Sequence, residues 1–342
     1  MKTKLFKIES ATDKQIDEVA QLLKAGEVVA VPTETVYGLA ANALSSESVK
    51  KIFTAKGRPS DNPLILHISD ISQWKPLVKD IPPLAMKLAE TFWGGALTII
   101  LEKSDLVPKE VCGGLNTVAV RMPDNALTCQ IISRAGVPLA APSANTSGKP
   151  SPTTASHVLN DLDGKIAAIV DGGACKVGVE STVVSLAVNP PRLLRPGGIT
   201  PEMLKTVIPD LVIDNAVFAK LENNKKATSP GMKYKHYSPK AEVIILKGSF
   251  ERYKKYVGEN ADNNDLALCF EGEETHLEIK TLTFGKINDP SSQATALFDA
   301  LRKVDELNAA KVYARYPSDS GVGLAVFNRL LRAAEFNVIE LD

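Results

Sequence analysis

The sequence predicts an α/β protein of two domains joined by a basic linker, and three observations support this. Short apolar runs typical of buried strands alternate with segments of helical period along the chain. With 342 residues, the chain is longer than most single domains. Residues 216–240 carry six Lys against one Glu and show no apolar period, which separates a first domain at 1–215 from a second at 241–342.

The first domain is predicted to contain a large, twisted, mixed sheet with helices between its strands. Residues 13–25 place Ile16, Val19 and Leu23 on one helical face, and Gly26 follows where the helix ends. Pro32 stops a strand at 28–31. Further strands are predicted at 64–66, 97–101, 118–120, 167–170 and 183–186, and further helices at 46–56, 83–92, 125–135 and 152–162.

The second domain repeats this alternation on a smaller scale. Because alternating strands and helices favour a parallel sheet covered on both faces, we expect a small Rossmann-like domain with three layers. Its strands are predicted at 243–246, 266–269, 281–284, 312–316 and 338–340, and its helices at 250–257, 293–308 and 324–334.

Composition and charge exclude several classes of protein. Lys plus Arg and Asp plus Glu both total 40, so no net field favours a polyanionic partner. The four Cys are scattered and form no CxxC, which disfavours a zinc site or a disulfide framework. There is no apolar signal segment at the start, and the longest uncharged stretch, 135–148, is too short to cross a bilayer. We therefore expect a soluble, cytoplasmic protein without membrane contact.

Several familiar enzyme motifs are absent from the sequence. There is no GxxxxGK[ST] phosphate loop, and Val326 replaces the third glycine of the GxGxxG pattern that Gly321 and Gly323 begin. HExxH and GxSxG are also absent. Hydrolytic and redox functions are therefore disfavoured.

Three polar segments come where strands end, which is where ligands bind in open α/β sheets. Residues 32–38 supply hydroxyls and a carboxylate, and Lys56 and Arg58 flank a glycine so that both can reach one polyanion. Residues 140–153 are rich in donors and precede a helix predicted to begin near Ser151, whose free N–H groups would suit a phosphate. Each segment also has a structural interpretation: a turn for 32–38, surface charge for Lys56 and Arg58, and a helix-capping loop for 140–153. A lone histidine such as His67 is more often a buried structural residue.

Taken in order, these segments and several others carry a specific resemblance. They are residues 32–39, 56–59 with 62–64, 120–123, 143–145 with 147–148, 171–173, 180–182, 194–197, 229–239 and 321–334. The set resembles the threonylcarbamoyl-AMP synthase family, with its YrdC-like catalytic domain, in the long two-domain form, and it covers essentially the whole chain. One departure is at residues 94–98, where the family usually has Pro-Gly-Pro before Leu-Thr, but it removes no functional side chain.

The resemblance implies the reaction of L-threonine, bicarbonate or CO₂, and ATP to give threonylcarbamoyl-AMP and pyrophosphate. A partner complex would then transfer the threonylcarbamoyl group to tRNA, with direct tRNA contact by this chain left open. Mg²⁺ is expected on the phosphates of ATP, so no residue is assigned as a metal ligand.

The resemblance also implies which residues form the site. A catalytic tetrad around the carboxyl and phosphate groups would be Lys56, Arg58, Ser143 and Asn145. These four would bind ATP together with Asn62, Thr117, Ser151, Arg195, Tyr234 and His236. Threonine would be held by Thr35, His67, Arg121, the backbone at Ala141, and Ser181, with Arg121 pairing the threonine carboxylate.

The linker is open to two interpretations. Its lysines alone indicate a solvated tether, whereas Pro230 and Pro239 framing two tyrosines and His236 favour a lid over a nucleotide. With the resemblance, we expect residues 229–239 to be a lid.

Two rival functions follow from the same domain. A non-catalytic RNA- or ribosome-binding protein is expected to lose the polar tetrad, which is complete here. A carbamoyl-transfer maturation enzyme carries zinc-finger cysteines, which the four scattered cysteines do not match.

Overall fold

Within the described residues the protein forms two β-sheets, which confirms the predicted α/β fold. A computed structural model describes residues 2–7, 13–219 and 236–341. An 11-stranded mixed sheet comes first along the chain, and a five-stranded parallel sheet follows it. The boundaries at residues 215 and 241 stay predictions, and residues 220–235 of the predicted linker lie outside the described residues.

The first sheet is mixed, as predicted, and runs in the order β1-β8-β2-β3-β7-β4-β6-β5-β9-β10-β11. For example, β4 pairs parallel with β6, while β5 pairs antiparallel with β6. Its strands are β1 (Lys4–Lys7), β2 (Val29–Val31), β3 (Gly38–Asn42), β4 (Ile65–His67), β5 (Leu97–Glu102), β6 (Thr117–Arg121), β7 (Leu139–Ala140), β8 (Ala168–Asp171), β9 (Thr182–Ser185), β10 (Arg192–Arg195) and β11 (Val212–Ile213).

Helices cover both faces of the first sheet, because each buries one apolar stripe. One face packs against α2, α3 and α5, and part of the other packs against α1 and α4. The helices are α1 (Asp13–Lys24), α2 (Ser46–Lys56), α3 (Pro83–Phe92), α4 (Ala126–Ala135), α5 (Ala155–Leu162) and the short α6 (Pro201–Lys205).

The second sheet is a small three-layer unit, as predicted, with the order β14-β13-β15-β12-β16. Helix α7 packs on one face, and α8 and α9 pack on the other. The elements are β12 (Glu242–Lys247), α7 (Phe250–Asn260), β13 (Leu266–Cys269), β14 (Thr281–Thr283), α8 (Pro290–Glu306), β15 (Lys311–Arg315), α9 (Gly321–Ala333) and β16 (Val338–Glu340).

The two sheet units share one apolar core. Val36 and Val179, from loops of the first unit, lie in the same buried cluster as Leu297 of α8 and Leu330 of α9. Since burying such side chains is the main stabilising term in packing, the face of the second unit made by α8 and α9 is attached to the loops of the first.

Some elements differ from the prediction. No strand was predicted after Pro32, but β3 begins at Gly38 and pairs with β2. The helix predicted at 152–162 begins at Ala155, with Thr154 as its N-cap.

Among the described helices, none combines the length and the apolar character needed to cross a membrane.

Candidate active site

The candidate site lies on one face of the strands β4, β5, β6 and β9. Side chains alternate along a strand, so Ile65, Ile100, Ala119 and Val183 form a small cluster on the face opposite to α2 and α3. Residues two positions away point to the same face, which places the polar side chains His67, Thr98, Arg121 and Ser181 there.

These strands and the loops around them enclose a cavity of about 60 Å³. Its walls come from the first sheet unit and from His236 and Tyr237, in the segment that joins the two units. The lining residues are Thr33, Thr35, Val36, Gly38, Arg58, Ile65, His67, Arg121, Ala141, Pro142, Ser143, Asn145, Glu180, Ser181, Arg195, His236 and Tyr237.

Arg121, at the end of β6, is held in place by three hydrogen bonds. Its Nε donates to the Gly95 carbonyl at 3.2 Å, Nη1 donates to the Thr35 hydroxyl at 2.8 Å, and Nη2 donates to the Glu34 carboxylate. Arg121 and Glu34 are both buried. Since a guanidinium has five N–H donors, the described contacts leave Arg121 with donors for an acidic group of a ligand.

His67 is a neutral imidazole in this site. It lies next to Arg121 in the parallel pair of β4 with β6. Burial and the Arg121 charge lower the pKa of His67 to about 3. The Nδ1 atom lies 3.3 Å from the Ile65 carbonyl, so the other ring nitrogen is the one available to the cavity that His67 lines.

Lys56 and Arg58 do different things, although the sequence places them only two residues apart. Helix α2 ends at Lys56, because Gly57 adopts the left-handed conformation (φ 59°) that closes the helix. The Lys56 ammonium donates to the carbonyls of Ser143 and Asn145 and to the Asn145 side-chain oxygen. Lys56 therefore fixes the 143–145 loop, whereas Arg58 lines the cavity itself.

Glu180 lines the cavity and is the centre of a buried polar network that forms one cavity wall. Its Oε1 accepts a hydrogen bond from the Ser151 hydroxyl, and its Oε2 accepts one from Arg329 Nε at 2.7 Å. Burial raises the pKa of Glu180, but Arg329 and Arg195 outweigh it and leave the pKa below its usual value. Glu180 is therefore a carboxylate at neutral pH.

Arg195 and Ser181 complete this wall. Arg195 Nε donates to the Ser181 carbonyl at 3.0 Å, and its Nη2 donates to the Ser181 hydroxyl at 3.2 Å. The same hydroxyl lies 2.8 Å from the Thr98 hydroxyl on β5. Burial lowers the pKa of Arg195 to about 10, so it remains a cation at neutral pH.

His236 and Tyr237, at the start of the described stretch 236–341, line one side of the cavity. Burial and nearby cations, Arg58 first among them, hold the pKa of His236 well below its usual value. Within the described residues, His236 Nε2 is buried without a hydrogen-bond partner. A neutral imidazole with an unused nitrogen in a cationic cavity suits a polar ligand.

The structure brings most of the predicted site residues together. Those that line the cavity are Thr35, Arg58, His67, Arg121, Ala141, Ser143, Asn145, Ser181, Arg195 and His236. The predicted residues outside its lining are Lys56, Asn62, Thr117 and Ser151. Tyr234 lies outside the described residues.

The residues outside the lining are placed in different ways. Thr117 begins β6, four residues before Arg121, which is about 13 Å along an extended strand. Asn62 is fully buried, and within the described residues neither its amide nitrogen nor its amide oxygen has a partner. A buried amide without hydrogen-bond partners is unusual, and binding of a ligand would supply such partners.

One local prediction at the site is wrong. Because α5 begins at Ala155 and Thr154 caps it, the free N–H groups of this helix are not at Ser151. The segment from Pro150 to Pro152 delays the helix, since proline disfavours helical geometry in the residue before it. Ser151 instead bonds Glu180 through its hydroxyl.

Sequence reasoning missed two site residues, Glu180 and Arg329. Glu180 was noticed only as the neighbour of Ser181, and Arg329 lies about 150 positions further along the chain in a helix with an ordinary apolar stripe. The sequence did contain one indication of this contact, which is an Arg in the centre of the apolar helix α9. An Arg that is fully buried in a helix needs acceptors from another element.

Comparisons with known proteins identify the family. A family model described as "Telomere recombination" matches residues 21–197, and one described as "Threonylcarbamoyl-AMP synthase, C-terminal domain" matches residues 199–335. A Bacillus subtilis protein named threonylcarbamoyl-AMP synthase is 48% identical, covering 99% of this chain and 100% of its own length. A Schizosaccharomyces pombe protein of the same name is 38% identical, covering 95% and 89% respectively. The chain belongs to the threonylcarbamoyl-AMP synthase family.

A solved structure supports this family assignment in three dimensions. The crystal structure of Pyrococcus abyssi Sua5 complexed with L-threonine superposes with a TM-score of 0.92 at 42% identity. It covers 99% of this chain and 100% of that chain, so both sheet units are shared. The fold of this chain is thus that of the long, two-domain members of the threonylcarbamoyl-AMP synthase family.

The described residues at the cavity supply few ligands for a metal ion. Within the described residues there is no cluster of three acidic, His or Cys side chains that could ligate one. Glu180 is the carboxylate that lines the cavity, and both of its oxygens already accept hydrogen bonds. A metal ion here would need most of its ligands from phosphate and water.

Proposed function

We propose that the chain is a threonylcarbamoyl-AMP synthase that joins L-threonine, bicarbonate or CO₂, and ATP into threonylcarbamoyl-AMP and pyrophosphate. The observation that supports this most is the match over the full length of a relative solved with L-threonine bound. The cavity adds support, because Arg58, Arg121 and Arg195 line it with the charge that a carboxylate and a triphosphate require.

The reaction needs positioning rather than a covalent intermediate on the protein. The threonine amine adds to CO₂ and loses a proton to give a carbamate, or adds to bicarbonate with loss of water. A carbamate oxygen then bonds to the α-phosphorus of ATP, and the bond to the leaving pyrophosphate breaks. Bringing three substrates together and neutralising the phosphate charge are therefore the main tasks of the site.

The threonine end is proposed to lie on the floor made by β4 and β6. Arg121 would pair the threonine carboxylate, because Thr35, Glu34 and Gly95 already orient its guanidinium. Neutral His67 and the Ser181 hydroxyl would hydrogen-bond the threonine polar groups, with the backbone at Ala141 beside them.

The ATP end is proposed to lie between the 143–145 loop and the Glu180 wall. Arg58 and Arg195 would contact phosphates, with Ser143, Asn145 and His236 close by. Lys56 would act through the loop it holds. Further ATP contacts are proposed for Asn62, Thr117, Ser151 and Tyr234. Mg²⁺ would arrive on the phosphates of ATP, and a separate tRNA-modifying complex would consume the product.

Mass spectrometry of the product tests this proposal. The protein is incubated with ATP, bicarbonate and an equimolar pool of amino acids that includes threonine, serine and valine, and pyrophosphate release is followed in parallel. We expect an adenylate of carboxylated threonine, because a site that pairs the threonine hydroxyl disfavours valine, which lacks it. Equal use of valine and threonine would contradict the substrate assignment. No pyrophosphate release with any amino acid would favour the non-catalytic, RNA-binding alternative.

A further inference from the structure

Arg329, a side chain of the second sheet unit, reaches the candidate active site. This residue lies in the middle of α9 and is fully buried. Its Nε donates to Glu180 Oε2 at 2.7 Å, and its Nη2 donates to the Glu180 carbonyl at 3.1 Å. Its Nη1 donates to the Pro196 carbonyl at 2.7 Å. One guanidinium thus holds the residue before Ser181 and the residue after Arg195.

The residues just before Glu180 pack tightly against the second unit. Gly178, two residues before Glu180, sits against α8, and a Cβ atom there would lie 2.4 Å from the Ala294 carbonyl oxygen. Val179, between them, is buried in the core shared with α8 and α9. The 178–181 segment is therefore packed closely against α8 and α9 of the second unit.

We propose that Arg329 is a positioning residue for the nucleotide site, so that the second unit completes the active site of the first. The inference rests on the proposed function and adds a role for the C-terminal sheet unit. Arg329 fixes the Glu180 carboxylate, and that carboxylate is the acceptor that orients the Ser151 hydroxyl. A carboxylate kept buried and charged needs such a partner, since an unpaired charge in this environment is strongly disfavoured.

The same geometry makes the effect selective for the nucleotide. Ser181, at the threonine end, is also held by Thr98 on β5 and by Arg195, which are both residues of the first unit. Ser151 has Glu180 as its described side-chain partner. Loss of Arg329 therefore disturbs the nucleotide end more than the threonine end.

Binding measurements on the full chain test this inference. Calorimetric titrations with α,β-methylene-ATP and, separately, with L-threonine are made on the unchanged protein and on Arg329→Met. We expect the Kd for the ATP analogue to rise between about tenfold and a hundredfold, because a charge-assisted contact is lost. The Kd for threonine is expected to stay within about threefold.

Three further variants separate positioning from folding. Asp299→Ala removes another contact between the two units, that of Asp299 with His157, and is expected to leave both affinities unchanged. Arg329→Lys keeps the charge but not the fork, so an intermediate loss of nucleotide affinity is expected, and it also serves if Arg329→Met does not fold. Glu180→Gln/Arg329→Met removes the unpaired buried charge, so its Tm is expected to recover while nucleotide affinity stays low.

The outcomes are distinguishable. Equal losses of threonine and nucleotide affinity, no loss in either, or a double variant with restored nucleotide affinity would each overturn the positioning role. If the unchanged protein binds the ATP analogue but makes no adenylate, the proposed function is wrong while the Arg329 comparison still stands. If the unchanged protein binds no nucleotide at all, both are wrong.

Discussion

At the scale of single residues, the site separates cations that hold loops from cations that face the cavity. Lys56 gives its donors to Ser143 and Asn145, and burial, followed by the Arg58 charge, holds the pKa of Lys56 well below its usual value. Arg58 is buried as well but lines the cavity. Arg58 is therefore the cation that we propose to contact a bound anion at the cavity.

Replacing Arg58 tests that interpretation. Arg58→Ala is expected to lower kcat/KM for adenylate formation, with a loss of about 2–4 kcal/mol of transition-state stabilisation. Little change in Tm is expected, because the side chain faces the cavity. Steady-state pyrophosphate release measures the effect. Lys51→Ala, an exposed cation of the same α2 region, is the matched control and is expected to stay near the unchanged rate. Activity of Arg58→Ala within about tenfold would make Arg58 a structural charge.

The pKa of His67 predicts how stability depends on pH. The folded state favours the neutral imidazole, with a pKa of about 3 against about 6.5 when unfolded. Stability from His67 is therefore complete above pH 6.5 and is lost as pH falls toward 3. Between pH 7 and pH 5 this one group is expected to remove about 2 kcal/mol from the free energy of unfolding.

Urea unfolding at the two pH values measures this dependence. His67→Gln removes the titrating group while keeping a polar side chain, so its stability should fall by about 2 kcal/mol less than that of the unchanged protein. His276→Gln replaces an exposed histidine and is expected to keep the full pH dependence. The same pH dependence in His67→Gln and in the unchanged protein would show that other groups cause it.

How far single residues of the site can be predicted depends on how far they are from their partners along the chain. Arg121 and Ser181 are at the ends of recognisable strands, and these ends meet at one place in the sheet. Glu180 and Arg329 are joined by a contact across 149 positions that leaves no periodic signal. Pairings of this kind are determined by tertiary packing, which local patterns do not contain.

At the scale of elements, most helices with a clear apolar stripe were predicted well, whereas some of the shortest strands, such as β7 and β11, were not. The helix predicted at 46–56 is α2, where Ser45 accepts from the Ser48 N–H and Gly57 closes the end. Strands of two to five residues such as β7, β10 and β11 are stabilised by neighbours in the sheet. Their residues carry too little alternation of their own to be recognised.

The loop before Glu180 gives a prediction at this scale. Gly173 and Gly178 both have positive φ (83° and 80°), but a Cβ at Gly173 meets nothing within 4 Å, whereas one at Gly178 meets the backbone of α8 at 2.4 Å. Gly173→Ala should therefore cost about 1 kcal/mol of unfolding free energy, from the backbone conformation alone. Gly178→Ala should cost about 2–5 kcal/mol, because α8 must also move.

Thermal and urea unfolding of the two alanine variants measures the difference, with Gly173→Ala as the matched control for backbone strain. If contact with α8 matters for the site, Gly178→Ala should also weaken binding of the ATP analogue more than Gly173→Ala does. Equal destabilisation by both substitutions would mean that the α8 contact relaxes without cost.

At the scale of the whole molecule, the sequence predicts two units more readily than it predicts how they are joined. Composition separates them at the basic linker, and each unit has a helical and strand period of its own. The shared core of Val36, Val179 and α8 was not predicted, since each residue is an ordinary apolar side chain in its own segment. The Arg302–Asp161 pair at 2.9 Å adds a buried ionic contact between the units.

Because the units share a core, we expect them to unfold in one cooperative transition, and the two tryptophans allow a direct test. Trp74 and Trp93 both lie in the first unit, with ring centroids 4.3 Å apart, so tryptophan fluorescence follows that unit alone. Far-UV circular dichroism follows both units. The urea midpoints from the two probes are expected to coincide.

Leu268→Ala, which opens a cavity in β13 of the second unit, should lower the fluorescence midpoint by the equivalent of about 2–5 kcal/mol, although it is far from either tryptophan in sequence. A fluorescence midpoint that Leu268→Ala leaves unchanged would mean that the two units unfold independently, despite the contacts of Arg329.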